Sequence, residues 1–405
     1  MRSPNIIKMT RYPIMNQLFA AVILILSSTI ASAQQSWSSP MADAAMARWP
    51  NGELTRGSEK LSEWAYDEHL LLMGITSVGA SSGASKYFNY VQSAMDRLVS
   101  ADGSIPSYRP EELSLDDIPL GHELLFLYER TKSEKYRKAA EAIRHQLDRQ
   151  PRTKSGGFWH KKRYPNQMWL DGLYMAEPFY AEYAAKFGRR EDFDDIAHQF
   201  TLIESHTRDT KTGLLYHAWD ESKQQAWANK TTGTSPNFWA RGMGWYAMAL
   251  VDTLPYFPSD HPGRAQLIEI LRRLAVASIK VQDSESGLWY QILDKPRAPG
   301  NYLESSASCM FVYALAKGVR LGYIKREYWV NAERGFRGIV RRMVERDSEG
   351  RLTVSHAVYS AGLGGTPYRD GSYEYYTRER VGSNDPKAIG AFLLASSEVD
   401  QEPTS

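Results

Sequence analysis

The chain of 405 residues contains a single cysteine, Cys309, so no internal disulfide is available to it in any redox compartment. The same count excludes a Cys/His zinc cluster. Cys309 lies in the apolar run SASCMFVYALAKG and reads as a small buried hydrophobe. An excess of one charge is also missing: 49 Lys and Arg stand against 47 Asp and Glu, which leaves no basic stripe for a nucleic acid. There is no Walker A loop, no H-E-x-x-H and no calcium loop, and GHELL at Gly121 lacks the second histidine of a zinc helix. No cofactor and no metal are implied. Strand-like alternation is scarce, and no Pro-, Gly- or Ser-rich linker or low-complexity tract divides the chain.

The N-terminal apolar run, LFAAVILILSSTI, covers about 13 residues, too few to span a bilayer. Arg2, Lys8 and Arg11 precede it without any acid, and ASA follows, ending at Ala33. This pattern predicts a cleaved signal peptide over residues 1–33, with Met9 and Met15 as alternative starts. No cysteine follows the run, so it is not a lipoprotein signal. The expected protein is periplasmic or secreted, without a stable membrane anchor. The remaining residues, 34–405, carry 46 basic and 47 acidic side chains. The sequence does not set the oligomeric state.

What is abundant is helix periodicity and aromatic surface. Apolar residues recur at three-and-four spacing in KYFNYVQSAMDRLV, IPLGHELLFLYERT, EKYRKAAEAIRHQLDRQ, FDDIAHQFTLIESHT, RGMGWYAMALVDTLPYF and AQLIEILRRLAVASIKVQ. Short loops that pair a glycine with large apolar residues recur around Gly103, Gly157, Gly213, Gly287 and Gly350, about 54 to 74 residues apart. Each interval holds two helices, which predicts an all-α domain over 34–405 built as six helical hairpins closed into an (α/α)6 barrel, with the glycine loops on one rim. An open solenoid is the alternative from periodicity alone. Tyr and Trp number 24 and 11, a supply of flat rings that suits sugars or simply a ring-rich core.

Three clusters could carry chemistry. In FWHKKRYPNQMWLDG, His160, Lys161 and Asp171 stand close to Trp169. Asp171 reads equally as a helix N-cap or as an acid whose desolvation among rings raises its pKa toward neutrality. In LSLDDIPLGHELL, Asp116 and Asp117 precede a helix and read as caps or as the second carboxylate of a sugar-cleaving pair. In SPNFWARGMGWYAMAL, Arg241 lies between Trp239 and Trp245 with glycines that would leave its fork open for a carboxylate. His217, in LLYHAWD, has a structural hydrogen bond as its default reading.

At these clusters the sequence resembles a known family. HKKRYPNQMWLDGLYMAEPFYAEYA, NFWARGMGWYAMALVD, GLWYQILDKPRAPGNYLESSASCMFVYALAKG and AGLGGTPYRDGSYEYY are similar to the unsaturated rhamnogalacturonyl hydrolases, glycoside hydrolase family 105, from about Trp64 to Leu394. The resemblance implies an (α/α)6 barrel and a hydrolysis that begins at a double bond. Asp171 would protonate C4 of a 4,5-unsaturated uronic acid and activate the water that adds at C5. Asp116 would hold sugar hydroxyls and tune Asp171. The implied substrate contacts are Tyr66, His160, Lys161, Trp169, His217, Trp239, Arg241 and Trp245, with Lys161 and Arg241 for the substrate carboxylate and the indoles stacked on sugar rings. Met243 replaces an asparagine frequent in the family, which removes a polar contact. The expected substrate is the unsaturated galacturonyl end of rhamnogalacturonan I fragments left by polysaccharide lyases. The alternatives are an unsaturated glucuronyl–rhamnose (ulvan-type) or glycosaminoglycan fragment, an ordinary inverting glycosidase, and a sugar-binding protein with an inactive site.

Overall fold

A computed structural model describes Met1, residues 36–56 and residues 58–401. The predicted signal segment therefore lies outside the described residues, apart from Met1. Residues from Trp37 onward form one compact unit. Its helices are α1 (Ser38–Arg48), α2 (Tyr66–Ser82), α3 (Ser85–Leu98), α4 (Gly121–Thr131), α5 (Glu134–Arg149), α6 (Leu170–Phe187), α7 (Asp192–Thr207), α8 (Ala240–Thr253), α9 (Pro262–Lys280), α10 (Ser305–Arg320), α11 (Trp329–Arg342), α12 (Tyr373–Arg378) and α13 (Pro386–Val399). Strands are two or three residues long and pair only as antiparallel ribbons: β1 (Thr55–Arg56) with β2 (Glu59–Lys60), β3 (Gln167–Trp169) with β4 (Ala218–Asp220), β5 (Val344–Arg346) with β6 (Leu352–Val354), and β7 (Ala357–Val358) with β8 (Val381–Gly382).

The helices sort by the apolar pattern of their sequences. In α8 and α13 every residue is buried, which is the signature of a helix surrounded by protein. In α5 burial is confined to a stripe through Tyr136, Ala139, Ala140, Ile143 and Leu147, the mark of an outer helix. Contacts join α2, α4, α6, α8, α10 and α13 into a closed inner ring, and α3, α5, α7, α9 and α11 each pack outside the inner helix that precedes them. This is the expected (α/α)6 barrel, with one difference. The sixth pair is not a hairpin: α1, from the start of the unit, packs on α13 at its end.

The ring closes where α2 meets α13. Gly74 and Gly390 face each other there, and a Cβ on Gly74 would lie 2.9 Å from the carbonyl oxygen of Gly390. A Cβ on Gly390 would press into the backbone of Leu70 and Leu71. Neither position has room for a methyl group.

Connections at the two ends differ. At one end α2 passes to α3, and α4 to α5, through two residues each. At the other end every outer helix reaches the next inner one through a long segment: 99–120, 150–169, 208–239, 281–304 and 343–385. The predicted glycine loops all fall in these segments. Gly103, Gly213, Gly287 and Gly350 have positive φ, and in the second loop it is Gly156 rather than Gly157 that does. Asp209 and Asp283 tighten two of these turns by accepting from the backbone N–H of Thr212 and Ser286, at 2.8 Å each. The long loops build walls over one rim only, above the N-termini of the inner helices.

Cys309 is buried in α10, and burial pushes its thiol well above the ordinary range. Among the described residues, no helix is long and apolar enough to cross a membrane. Overpacking at the seam gives a direct test: Gly390→Ala is expected to cost about 1–3 kcal/mol, read as a lower denaturation midpoint by circular dichroism. An unchanged midpoint would mean that the α2–α13 contact does not hold the ring.

Candidate active site

One pocket opens on the walled rim. Tyr66, Asp116, His160, Lys161, Trp169, Asp171, Trp239, Arg241 and Trp245 line it, with Arg163, Tyr164, Met175, Tyr359, Ser360, Ala361, Arg369 and Lys387. Nine of the ten residues expected from the sequence therefore meet in one place; His217 lies behind the wall. The inner helices supply the floor through their N-terminal ends: Tyr66 opens α2, Asp171 is second in α6, Arg241 second in α8 and Lys387 second in α13. Helix N-termini carry partial positive charge, so this end of the barrel favours an anion.

Asp171 is held from two sides. Leu170 N–H donates to the His217 carbonyl (2.9 Å), and Trp169 pairs with Ala218 across β3 and β4. This registers His217 beside the first turn of α6, with Nε2 at 3.3 Å from Asp171 Oδ1. The contact is long and poorly aligned, and both atoms lack a good hydrogen bond. The carboxylate opposite Nε2 favours the tautomer with its proton there, and Nδ1 then accepts from the Tyr376 hydroxyl at 2.6 Å. Because Oδ1 is buried, the 12% of the Asp171 side chain that is accessible lies on its other atoms.

Two readings of Asp171 are corrected here. It is not the N-cap of α6: Trp169 occupies that position, and no side chain caps it. Nor is its pKa raised. Burial pulls it upward, but the contact with His217 and the nearby His160 outweigh burial, so the carboxyl sits below its ordinary value. Burial pushes His217 down, against the pull of Asp171, which keeps the ring neutral at neutral pH.

Asp116 arrives on a single 3-10 turn, Leu115–Asp117, with no capping bond from its side chain. Leu115 N–H donates to the His160 carbonyl (3.0 Å), and Lys162 N–H to the Leu113 carbonyl (3.2 Å), which locks this turn to the 158–163 loop. Lys161 Nζ consequently donates to Asp116 Oδ2 in a short ion pair, and His160 Nε2 lies 3.3 Å from Oδ1. Burial opposes ionisation of Asp116, but these two partners hold its carboxyl far below the usual range. Asp117 does not line the pocket; burial and the neighbouring Asp116 charge push it up to about 7.

The remaining expectations divide. Lys161 is engaged by Asp116, so it is not a free cation for a substrate carboxylate. Arg241 is not openly exposed; it is 1% accessible, and its Nη2 donates to the Val358 carbonyl. Among the described residues its Nη1 has no hydrogen-bond partner, which leaves one buried donor unused rather than a free fork. Trp169 has no face for a sugar, because His160 stacks on it at 4.4 Å and Tyr164 at 5.0 Å. Trp239 stacks on Tyr376, and Trp245 packs against Tyr174 at 4.7 Å. His217 is wholly buried and touches Asp171 rather than the cavity.

Sequence reading missed Lys387, although a lone lysine in the apolar PKAIGAFLLASSEV was a signal. It donates to Asp67 (2.7 Å) and Asp385 (3.1 Å), and Arg56 bonds the same two carboxylates, so this buried group under the pocket is neutral in sum. Arg369 was also missed, though it lies in the conspicuous AGLGGTPYRDGSYEYY. Among the described residues no group of three His, Cys, Asp or Glu side chains could hold a metal.

Two carboxylates in unlike electrostatic settings, at the mouth of a helical barrel rich in rings and cations, are the equipment of an acid–base hydrolase of sugars. Residues 37–402 match the family model described as Glycosyl Hydrolase Family 88. A solved glycoside hydrolase from family 105 of C. acetobutylicum is 45% identical, over 90% of this chain and 99% of that one, with a TM-score of 0.86. Protein Atu3128 of Agrobacterium fabrum is 41% identical over 230 residues, 55% of this chain and 97% of its own length. The unsaturated rhamnogalacturonyl hydrolase YesR of Bacillus subtilis is 31% identical over 264 residues, 64% of this chain and 72% of its own. The chain belongs to glycoside hydrolase family 105, within the group that the family 88 model spans.

The Lys161–Asp116 pair makes a testable contribution to stability. A carboxyl with a depressed folded pKa stabilises the fold above its unfolded pKa and loses that contribution as pH falls through the folded value. Lys161→Met leaves Asp116 buried with only His160, at a cost of about 3 kcal/mol at neutral pH. The gap in melting temperature between parent and variant should narrow as the pH is lowered through the carboxylate range. A pH-independent gap would show that the lysine acts by packing.

Proposed function

We propose that this enzyme removes a 4,5-unsaturated galacturonyl residue from the non-reducing end of rhamnogalacturonan I oligosaccharides left by polysaccharide lyases. The observation that carries the reading is the pairing of the Asp171 carboxyl with an unsatisfied buried donor, Arg241 Nη1, in one pocket at the converging helix N-termini. An enzyme acting on a saturated neutral sugar has no use for a buried guanidinium that lacks a counter-ion; a uronic acid supplies one. The name of YesR supports the galacturonyl choice. The leader-like sequence before residue 34 supports a periplasmic or secreted setting, where lyase products arise.

In this mechanism the substrate carboxylate meets Arg241, and the vinyl ether lies against Asp171. Water is displaced and a negative charge is added beside Asp171, both of which raise its pKa and bring a proton onto it. Asp171 gives that proton to C4, and positive charge develops on C5 and the ring oxygen. The carboxylate left behind takes a proton from water as its oxygen bonds to C5, which restores the acid. The resulting hemiketal opens to a ketone at C5 and a hemiacetal at C1, which breaks to release the remaining sugar. Asp116, held ionised by Lys161 and His160, accepts hydrogen bonds from sugar hydroxyls and stabilises the developing cation.

Incubation with the lyase-generated unsaturated disaccharide should abolish the ultraviolet absorbance of the conjugated double bond. Release of sugar with that absorbance intact would sink the reading. Asp171→Asn, in which no cap is lost, should melt like the parent and retain less than about 0.1% of kcat, the scale of a missing general acid combined with the lost carboxylate.

The pH dependence follows from the depressed carboxyl. Since Asp171 acts when protonated and sits low in the empty enzyme, kcat/KM should already fall as pH rises through the lower part of the carboxylate range. His217→Phe removes the depressing contact, so the alkaline limb of kcat/KM should move to higher pH in a pH–rate profile. Movement to lower pH, or none, would remove His217 from control of the acid.

A further inference from the structure

A second groove, of about 590 Å³, adjoins the pocket and falls within the size range of small-ligand clefts. Arg163, Tyr164 and Arg369 line both, so the two are neighbours across a shared wall, and Gln167, Gln225, Gly365, Thr366 and Pro367 complete the groove. Tyr164 forms the partition. One of its neighbours is Trp169, stacked at 5.0 Å, and Arg369 Nη2 donates to its hydroxyl at 2.7 Å. Arg369 is also tied to the Gly364 carbonyl (2.8 Å) and the Leu363 carbonyl (3.1 Å), so its position is fixed by neutral acceptors. The Arg163 guanidinium lies 5.1 Å over the Tyr164 ring. Among the described residues neither arginine has a carboxylate within ion-pair distance, in a protein where most arginines do.

Two cations without counter-ions at the junction of a sugar pocket and an open groove mark a place for a second anion. Given the function proposed above, on which this step rests, the substrate offers one. Uronate alternates with neutral rhamnose in rhamnogalacturonan I, so the next carboxylate lies two units beyond the unsaturated end. We propose that the groove binds this second uronate through Arg163 and Arg369, making the enzyme selective for unsaturated tetrasaccharides and longer fragments over the disaccharide.

The test is steady-state kinetics on three substrates: the unsaturated disaccharide, the tetrasaccharide, and the tetrasaccharide with its internal galacturonate methyl-esterified. The parent enzyme should show kcat/KM roughly three- to tenfold higher on the free tetrasaccharide, through KM, as befits partly exposed charge-assisted contacts. Esterification should erase that advantage. Arg163→Gln and Gln225→Glu, which places a negative charge in the groove, should each bring the tetrasaccharide-to-disaccharide ratio to about one. Equal kcat/KM on all three substrates, or an advantage that survives esterification and both variants, overturns the groove assignment while leaving the catalytic reading intact. No turnover of any of the three overturns the catalytic reading and this inference with it.

Discussion

Closure of the inner helix ring is the constraint on which the rest depends. Six helices cannot meet around one axis unless the first and last come into contact, and here they do so at two glycines, Gly74 and Gly390, where backbone meets backbone. Because an outer helix returns the chain between each inner helix and the next, every inner helix runs the same way along the barrel. Their N-termini then share one end, and the long outer-to-inner loops share it too. The pocket is a consequence of that direction: a polar floor of helix starts, walled by long loops, in a protein whose opposite end has the shorter connections.

The electrostatics of the site follow from burial under those walls. Asp116 and Asp171 are both desolvated, and each stays ionised in the empty enzyme because an imidazole or an ammonium offsets that desolvation. The offsets are unequal. Asp116 has Lys161 in direct contact, whereas Asp171 has a neutral imidazole at 3.3 Å in poor alignment. A small change in surroundings therefore moves a proton onto Asp171 and not onto Asp116. The difference separates an acid that can cycle from a carboxylate that stays charged, and it arises from which loop each residue is tied to.

Much of this was legible in the chain. Amphipathic stripes such as those of α5 and α9 report a helix with one dry face, and the recurring glycine loops report the repeat. The clusters around Asp171, Asp116 and Arg241 are compact in sequence because each sits where a loop enters an inner helix. Two things were hidden for the same reason. The helix α13 is buried on all sides, so its sequence has no periodicity to read, and with it went Lys387. The sixth pair escaped because α1 and α13 are at opposite ends of the unit, and no local pattern records that they touch.

The sequence by itself determined the fold class and the residues that gather in the pocket, because hydrophobic period and loop chemistry are local properties. Only the tertiary structure decided what those residues are free to do. Lys161 is engaged by Asp116, Trp169 has both faces covered, Arg241 keeps one donor in reserve, and Asp171 is an ionised group inside the helix rather than a protonated cap. Charge state, free valence and exposed face depend on partners 45 residues or more away in several of these cases, and such partners are set by packing alone.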